Sequence, residues 1–382
     1  MNKKLIKWQL RTWLPELAIM FAIFAVVLLP IYLNMHVAYV SHNVDADAQI
    51  IINSAPTVGI INTLALVFAN LSSVFVYQYR YKKKKVDTFY QLPLRKNELK
   101  NTRIILALIC QIVIITFFYW LCVAILGIKQ GVELAEIAKD YPELSQEGLL
   151  TYNYGFFAIY YFVLIAYTSC IYFISCFFAS LANHTQTALC NVILFNLITE
   201  LCLFSLSTFV MKFTEYDTYA YISFLNCSPS SLGIGNAIYY LFMHHIDPHY
   251  IMVYNALLEN GTFMGRLIST MVEVAVFGIA SAFYCLYIKD PSGENAGSIK
   301  CRYKWAEYLP HVFGFLVSVV LGISLCTTYF WMLLLVIPFY FIIYYTVLCL
   351  MRKTFRLPIR DFILIGVFFV MAFILANIPY PN

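Results

Sequence analysis

The sequence predicts an all-α fold: a polytopic helical membrane protein with about nine transmembrane helices and an N-terminal interfacial helix. Of its 382 residues, 62% are apolar and only 12% are charged, and the mean hydropathy is +0.75. Soluble domains carry about 25% charged residues, so this composition excludes that class. The chain also contains nine apolar segments, each close to the ~20 residues that a transmembrane helix needs. The third observation is the uneven placement of Lys and Arg.

The N-terminal segment, residues 1–13 (MNKKLIKWQLRTW), mixes four basic residues with Leu5, Trp8, Leu10 and Trp13. This pattern is typical of a short amphipathic helix lying in the membrane interface. The predicted spans that follow are 14–35, 57–78, 104–127, 153–181, 187–211, 268–288, 310–328, 330–350 and 361–378. The region 310–350 is almost unbroken, so reading it as two spans requires a tight turn near 328–330.

These segments divide into three predicted regions. Residues 1–13 form the interfacial elbow helix, and residues 14–288 form a six-helix core with a cytoplasmic loop at 79–103. Residues 289–382 contribute a second cytoplasmic loop and three further transmembrane helices.

The basic residues predict the orientation. With the N-terminus in the cytoplasm, 21 of the 25 Lys and Arg residues lie in cytoplasmic segments. The remaining four lie outside: Lys129, Lys139, Lys212 and Arg266. Cytoplasmic loops are enriched in Lys and Arg, so nine spans place the C-terminus outside the cell membrane.

The most strongly charged stretch is 77–103, YQYRYKKKKVDTFYQLPLRKNELKNTR. Val86, Phe89 and Tyr90 are spaced to share one face of a short helix. Pro93 ends that helix, since it lacks an N–H and pushes Leu92 out of helical geometry. A second helix restarts near Arg95. The result is an amphipathic helix at the membrane surface, suited to bind in a groove of a soluble partner.

Three stretches carry a resemblance to a known family. In VDTFYQLPLRKNELKNTRIILAL the matching positions are Asp87, Leu92, Pro93, Arg95 and Leu99. In KDPSGENAGSIKCRYKW they are Glu294, Ala296 and Gly297, and a third match is the run 227–229 (CSP). Together they resemble the membrane subunits of bacterial ATP-binding-cassette (ABC) transporters, the permeases of ABC-2-type exporters.

The resemblance implies a translocation subunit that is not itself an enzyme. ATP and Mg²⁺ would be bound by a separate ABC ATPase, consistent with the lack of a GxxxxGK[ST] phosphate loop in this sequence. It also implies that the ATPase receives the helix containing Phe89 and Tyr90, and that the permease works as a homodimer or with a second permease. Lys82–Lys85 then either contact that ATPase or anchor the loop at the anionic inner leaflet.

Two polar residues fall inside a predicted span. Asn196 and Glu200 are one turn apart in NVILFNLITELCLF, and an ionisable group at that depth usually faces a bundle interior or a wet cavity. They either line the translocation path or make a hydrogen-bonded contact between helices.

Other function classes have less support. The cluster HHIDPHY at 244–250 contains metal-ligand types, but its spacing matches no known site geometry. A secondary transporter needs charged residues at the midplane of paired, broken helices, and an intramembrane enzyme needs paired catalytic groups such as H-E-x-x-H. A membrane sensor that uses the same ATPase contact remains an alternative. The charge pattern does not indicate a nucleic-acid partner.

Overall fold

The computed structural model describes residues 3–35, 38–41, 49–52, 55–81, 96–140, 154–213, 261–288, 301–324, 330–352 and 354–376. The α-helices in this part of the chain are α1 (Lys3–Asn34), α2 (Ala55–Val76), α3 (Gln78–Tyr81), α4 (Lys96–Asp140), α5 (Tyr154–Ser180), α6 (Thr185–Phe213), α7 (Gly261–Tyr287), α8 (Leu309–Ser324), α9 (Phe330–Arg352) and α10 (Ile359–Ala376). A 3₁₀ turn (Lys304–Tyr308) precedes α8.

The helical class predicted from the sequence is confirmed, because every predicted span overlaps one of these helices. Three stretches among the described residues are long and apolar enough to cross a membrane: Leu5–Asn34, Asn97–Asp140 and Phe157–Ser180. Shorter apolar stretches lie in α2, α6, α7 and α9. The apolar helices indicate a membrane location, and the number of nine spans stays a prediction.

The first helix differs from the sequence prediction. A boundary was expected between the interfacial segment 1–13 and the first span, but α1 is one helix from Lys3 to Asn34, with Pro15 inside it. Leu5, Gln9 and Trp13 are buried and share one face at i, i+4 and i+8. Packing of this face against the protein offsets the single backbone hydrogen bond that Pro15 removes.

A small β-hairpin follows α1 and was not predicted. Strands β1 (Ala38–Ser41) and β2 (Gln49–Ile52) pair antiparallel, with Ala38 opposite Ile52 and Ser41 opposite Gln49. Their sequences, AYVS and QIII, are rich in the aromatic and β-branched residues that favour strands. The run is too short to change the all-helical character of the fold.

Helix α4 extends well beyond the predicted span 104–127. Its 45 residues correspond to a length of roughly 67 Å, about twice the ~30 Å thickness of a bilayer core. Near its far end, Lys129 Nζ donates hydrogen bonds to the carbonyl oxygens of Leu33 (2.6 Å) and Met35 (2.7 Å). A cation at the C-terminal end of α1 satisfies open carbonyls and complements the helix dipole.

Two clusters of buried apolar side chains hold the helices together. The first contains residues of α1, α2, α4, α5 and α7, and the second contains residues of α8, α9 and α10. Helix α6 contributes to both clusters, with Val192 in the first and Leu194 in the second. This helix therefore links the last three helices to the rest of the bundle.

Several helix termini lie together at one end of the bundle. The start of α4 contacts the end of α7 through Lys100 and Ile288, and α3 contacts the end of α5 through Tyr81 and Ala179. Termini of α6, α8, α9 and α10 border a shared cavity of about 340 Å³ at the same end. We call this layer the basic end, because it contains Arg80, Lys100, Arg103, Arg302, Arg352 and Arg360.

Close approach of α5 and α7 depends on Gly278. A Cβ atom at this position would lie 2.7 Å from Cys170 Cβ and 2.9 Å from Cys170 Cα. Small residues at helix contacts allow two backbones to approach closely in a membrane, where packing takes the place of the hydrophobic effect.

We expect Gly278→Ala to destabilise the protein, because the new methyl group forces α7 away from α5. Overpacking of this kind costs about 1–3 kcal/mol, more than the roughly 0.8–1 kcal/mol that alanine gains in helix propensity. Thermal unfolding of the purified protein in detergent measures the change. Gly366→Ala is the matched control, since no atom lies within 4 Å of its added Cβ. Equal melting temperatures for the two variants would contradict this account.

Candidate functional site

Most of the site residues predicted from the sequence lie outside the described residues. These are Val86, Asp87, Phe89, Tyr90, Leu92, Pro93, Arg95, Glu294, Ala296 and Gly297, together with Lys82–Lys85, residues 227–229 and the histidine-rich run 244–250. Asn196 is described in full. For Glu200 the backbone lies in α6, and its side chain is outside the described part.

The chain leading into the segment 82–95 is anchored by α3. Tyr79, Arg80 and Tyr81 are all buried, and the guanidinium of Arg80 lies 5.8 Å from the ring centroid of Tyr77. Tyr81 Oη donates a 3.1 Å hydrogen bond to the carbonyl oxygen of Ala179 in α5. Burial raises the pKa of Tyr81 above its ordinary value, so this hydroxyl keeps its proton at neutral pH.

The chain leaving the segment 82–95 is anchored by the first turns of α4. Lys100, only 3% exposed, donates a hydrogen bond from Nζ to the carbonyl oxygen of Ile288 at the end of α7. Arg103 is also buried, and its guanidinium lies 5.1 Å from the ring of Trp13 in α1 and 4.9 Å from the ring of Tyr79. Contacts of this type combine cation–π attraction with packing of the long side chain.

These anchors tie the two flanks of the segment 82–95 to three other helices. On its N-terminal side it is held to the end of α5, and on its C-terminal side it is held to α1 and to the end of α7. The residues on either side of this segment are therefore fixed by buried contacts with α1, α5 and α7.

The residues that flank the second predicted segment, 289–300, lie at the same end of the bundle. It begins directly after Ile288, whose carbonyl oxygen accepts the hydrogen bond from Lys100. After it, the backbone N–H of Arg302 donates a 2.7 Å hydrogen bond to the carbonyl oxygen of Leu181. The two segments that carried the family resemblance are nearly 200 residues apart in sequence, yet their flanks are in direct contact.

Asn196 takes part in a polar contact among three helices. Its Nδ2 donates to Asn70 Oδ1 in α2 at 3.3 Å and to the carbonyl oxygen of Val192 at 2.9 Å. Ser175 Oγ in α5 donates to the same Asn70 oxygen at 2.6 Å. A contact between helices was one of the two roles that the sequence left open for Asn196, and the geometry places it in such a contact.

A charged cluster at the basic end was not predicted from the sequence. Asp361, fully buried at the start of α10, lies 2.8 Å from Nη2 of Arg352 through Oδ2 and 3.0 Å from it through Oδ1. His311 Nε2 is 3.7 Å from the same carboxylate, and His311 Nδ1 is 2.6 Å from Tyr344 Oη. The cluster joins α8, α9 and α10.

Part of this cluster had a signal in the sequence. Arg352 closes one helix and Asp361 opens the next, with a short loop between them, and each charge suits its helix terminus. This pattern predicts a pair across the loop. His311 and Tyr344 lack a comparable signal, because their contact depends on which faces of α8 and α9 meet.

The described residues hold no group of three or more metal-ligating side chains. Cys301, next to the second predicted segment, is half-buried, and burial together with nearby Glu307 raises its pKa to about 11. A thiol with that pKa stays protonated at neutral pH, so Cys301 is poorly suited to act as a nucleophile or metal ligand.

No protein-family model, curated protein or solved structure matched this chain.

We expect Asp361→Ala to destabilise the contact among α8, α9 and α10, because it leaves Arg352 without its carboxylate. Breaking a fully buried pair costs about 3–5 kcal/mol. Arg352 is 25% exposed, so solvent screens part of this loss and roughly 2–4 kcal/mol is expected. Thermal unfolding in detergent measures it.

The matched control for this prediction is Arg356→Gln, which removes an exposed charge from the same loop. Surface substitutions of this kind usually change stability by less than about 0.5 kcal/mol. If Asp361→Ala melted at the same temperature as Arg356→Gln, the charge pair would contribute nothing to the packing of these helices.

Proposed function

We propose that this protein is the membrane permease subunit of an ATP-driven ABC exporter in a bacterial plasma membrane. The observation that carries the proposal is the contact between Lys100 and Ile288. It brings together the flanks of the two segments, 82–95 and 289–300, that resemble the cytoplasmic loops of such permeases. A partner ATPase that binds one segment would therefore meet the other.

The basic end is proposed to face the cytoplasm. Several arginines of this layer lie against aromatic rings, among them Arg103 on Trp13 and Tyr79, and Arg360 on Tyr308 at 5.6 Å. Aromatic side chains favour both membrane interfaces, and basic side chains favour the cytoplasmic one, which carries anionic lipids. This orientation leaves the N-terminus inside and, with nine spans, the C-terminus outside.

The proposed mechanism transmits force from the ATPase to the helices. The face formed by Val86, Phe89 and Tyr90 would bind in a groove of the ATPase, and Asp87 with Leu92, Pro93 and Arg95 would shape the helix and its end. The anchors described above would carry nucleotide-driven movement of this helix to α1, α5 and α7. ATP and Mg²⁺ would be bound by the ATPase, and Glu294, Ala296 and Gly297 would form a second contact.

The polar contact of Asn196 would transmit movement of the docking helix to the interior of the bundle. Asn70, Ser175 and Asn196 join α2, α5 and α6 by side-chain hydrogen bonds, which are weak enough to exchange partners as helices shift. Glu200 lies one turn further along α6, and we propose that this part of α6 borders the translocation path. The permease would act as a homodimer or with a second permease.

The ATPase contact is testable with Phe89→Ala combined with Tyr90→Ala. Losing both aromatic side chains removes enough apolar area, at ~25 cal/mol per Å², to cost a few kcal/mol, or roughly two orders of magnitude in occupancy. The measurement is the ATP hydrolysis that co-purifies with the protein from its own membranes, at matched protein levels. We expect this activity to fall to background.

The matched control changes Lys82–Lys85 to Gln. It removes charge but leaves the aromatic face, so we expect poorer membrane insertion and nearly normal ATPase capture. If the aromatic pair were dispensable while the lysines were essential for ATPase capture, the assignment of Val86, Phe89 and Tyr90 as the docking face would be wrong. A protein that never carries ATPase activity would count against the ABC class as a whole.

The proposed membrane orientation is testable with reporter fusions. A reporter fused after Lys300 should lie in the cytoplasm, and one fused at Asn382 should lie outside, because 21 of 25 basic residues then face inward. Alkaline phosphatase and green fluorescent protein fusions, active on opposite sides of the membrane, distinguish the two locations. A cytoplasmic C-terminus would mean one span fewer, and the region 310–350 is where the count would change.

A further inference from the structure

An apolar crevice lies between α5, α6 and α7, apart from the anchors of the segment 82–95. Its volume is about 280 Å³. Its walls are formed by Ile174, Phe177 and Phe178 of α5, by Phe195 and Thr199 of α6, and by Val274, Phe277 and Ser281 of α7. Nearly all of its surface is hydrocarbon, with the hydroxyl groups of Thr199 and Ser281 as the exceptions.

Two walls of the crevice lead to Arg302 at the basic end. On α7, the crevice residues Phe277 and Ser281 continue at helical spacing to Tyr284, whose ring lies 5.7 Å from the Arg302 guanidinium. On α5, Phe178 continues to Leu181, whose carbonyl oxygen accepts the backbone N–H of Arg302 at 2.7 Å. Tyr284 therefore lies about one helical turn beyond Ser281, and the guanidinium of Arg302 lies beside the Tyr284 ring.

Arg302 is fixed in place but is not neutralised by a described carboxylate. Its guanidinium also lies 5.4 Å from the ring of Tyr303, and Tyr303 Oη lies 3.2 Å from Tyr284 Oη. Among the residues that the structure describes, no Asp or Glu forms an ion pair with Arg302. A half-buried cation with two hydroxyl groups beside it is therefore available to an anionic ligand.

The crevice opens towards the membrane. On α7, Phe277 is 62% exposed, Phe283 is 59% exposed and Tyr287 is 73% exposed. Such exposure is expected for side chains that face lipid. Beside Arg302, the exposed side chains of Tyr303 and Trp305 stack with ring centroids 6.4 Å apart. Such aromatic residues favour the level of the lipid headgroups, so Arg302 lies where a phosphate group would be.

We propose that this crevice is a binding site for one anionic phospholipid of the leaflet at the basic end. One acyl chain lies between the phenylalanine rings, and the phosphate binds the guanidinium of Arg302, with Tyr284 and Tyr303 as additional hydrogen-bond donors. Arginine suits this role because its planar fork donates two parallel hydrogen bonds to a phosphate. The crevice volume of about 280 Å³ is slightly below the ~300–1,000 Å³ typical of ligand pockets, so it admits part of one acyl chain and excludes a second.

The occupant follows from charge and location. A zwitterionic lipid offers its phosphate together with a cationic group, which Arg302 repels, so an anionic headgroup is favoured. Because the site shares α5 and α7 with the anchors of the segment 82–95, bound lipid would stiffen the helices on which that segment acts.

The test is lipid retention, and it requires no ATPase. The full-length protein is reconstituted into nanodiscs of equal parts phosphatidylglycerol and phosphatidylcholine and transferred to mild detergent. Retained lipids are then counted by native mass spectrometry. We expect the wild type to retain one phosphatidylglycerol in preference to phosphatidylcholine, and Arg302→Gln to lower that retention about tenfold, since a charge-assisted hydrogen bond is lost. Arg302→Lys should keep part of it.

Two further variants test the effect of general charge and the contribution of the crevice itself. Arg356→Gln removes an exposed arginine at the same end and should leave retention unchanged. Ser281→Leu fills the crevice while Arg302 stays, and should also lower retention. Equal retention of the two lipids, or normal retention in Arg302→Gln or Ser281→Leu, would overturn the proposal. A second copy of the chain replacing the lipid at this surface would also overturn it.

Discussion

The carbonyl groups at the C-terminal ends of the helices are the constraint on which this structure depends. A bilayer offers no hydrogen bonds to backbone groups, so spanning segments satisfy them within helices, and the unpaired groups collect at the two ends. Here other parts of the chain supply the missing donors. Lys129 binds the end of α1, Tyr81 and Arg302 bind the end of α5, and Lys100 binds the end of α7. Each of these contacts joins elements that are distant in sequence.

The same contacts give the basic residues a structural role in addition to their effect on membrane orientation. Lys100 and Arg103 are buried among helix termini and aromatic rings, although sequence alone makes them ordinary cytoplasmic charges. A buried Lys or Arg has lost most of its freedom, so the chain attached to it is held in position. This arrangement gives the segment 82–95 two fixed ends, which is what the proposed coupling to an ATPase needs.

Helix α6 connects the two apolar clusters of the bundle. One face of α6 packs in the first apolar cluster, and Leu194 belongs to the second cluster with α8, α9 and α10. The polar contact at Asn196 and the lipid crevice at Phe195 and Thr199 lie on the same helix. A shift of α6 would therefore change the polar contact, the crevice and the packing of the last three helices together.

The sequence by itself determined the class of the protein and the positions of its helices, because hydropathy and charge are local properties that a membrane selects directly. It also predicted that Asn196 either lines a translocation path or makes a contact between helices, and the structure shows a hydrogen bond from Asn196 to Asn70 in α2. Contacts that depend on which helix faces meet were decided by the tertiary structure. Lys100 with Ile288, and His311 with Tyr344, belong to this group, as does the burial of Leu5, Gln9 and Trp13 that keeps α1 continuous through Pro15. Helical periodicity shows which residues share a face, but the neighbour of that face is set by packing among all the helices.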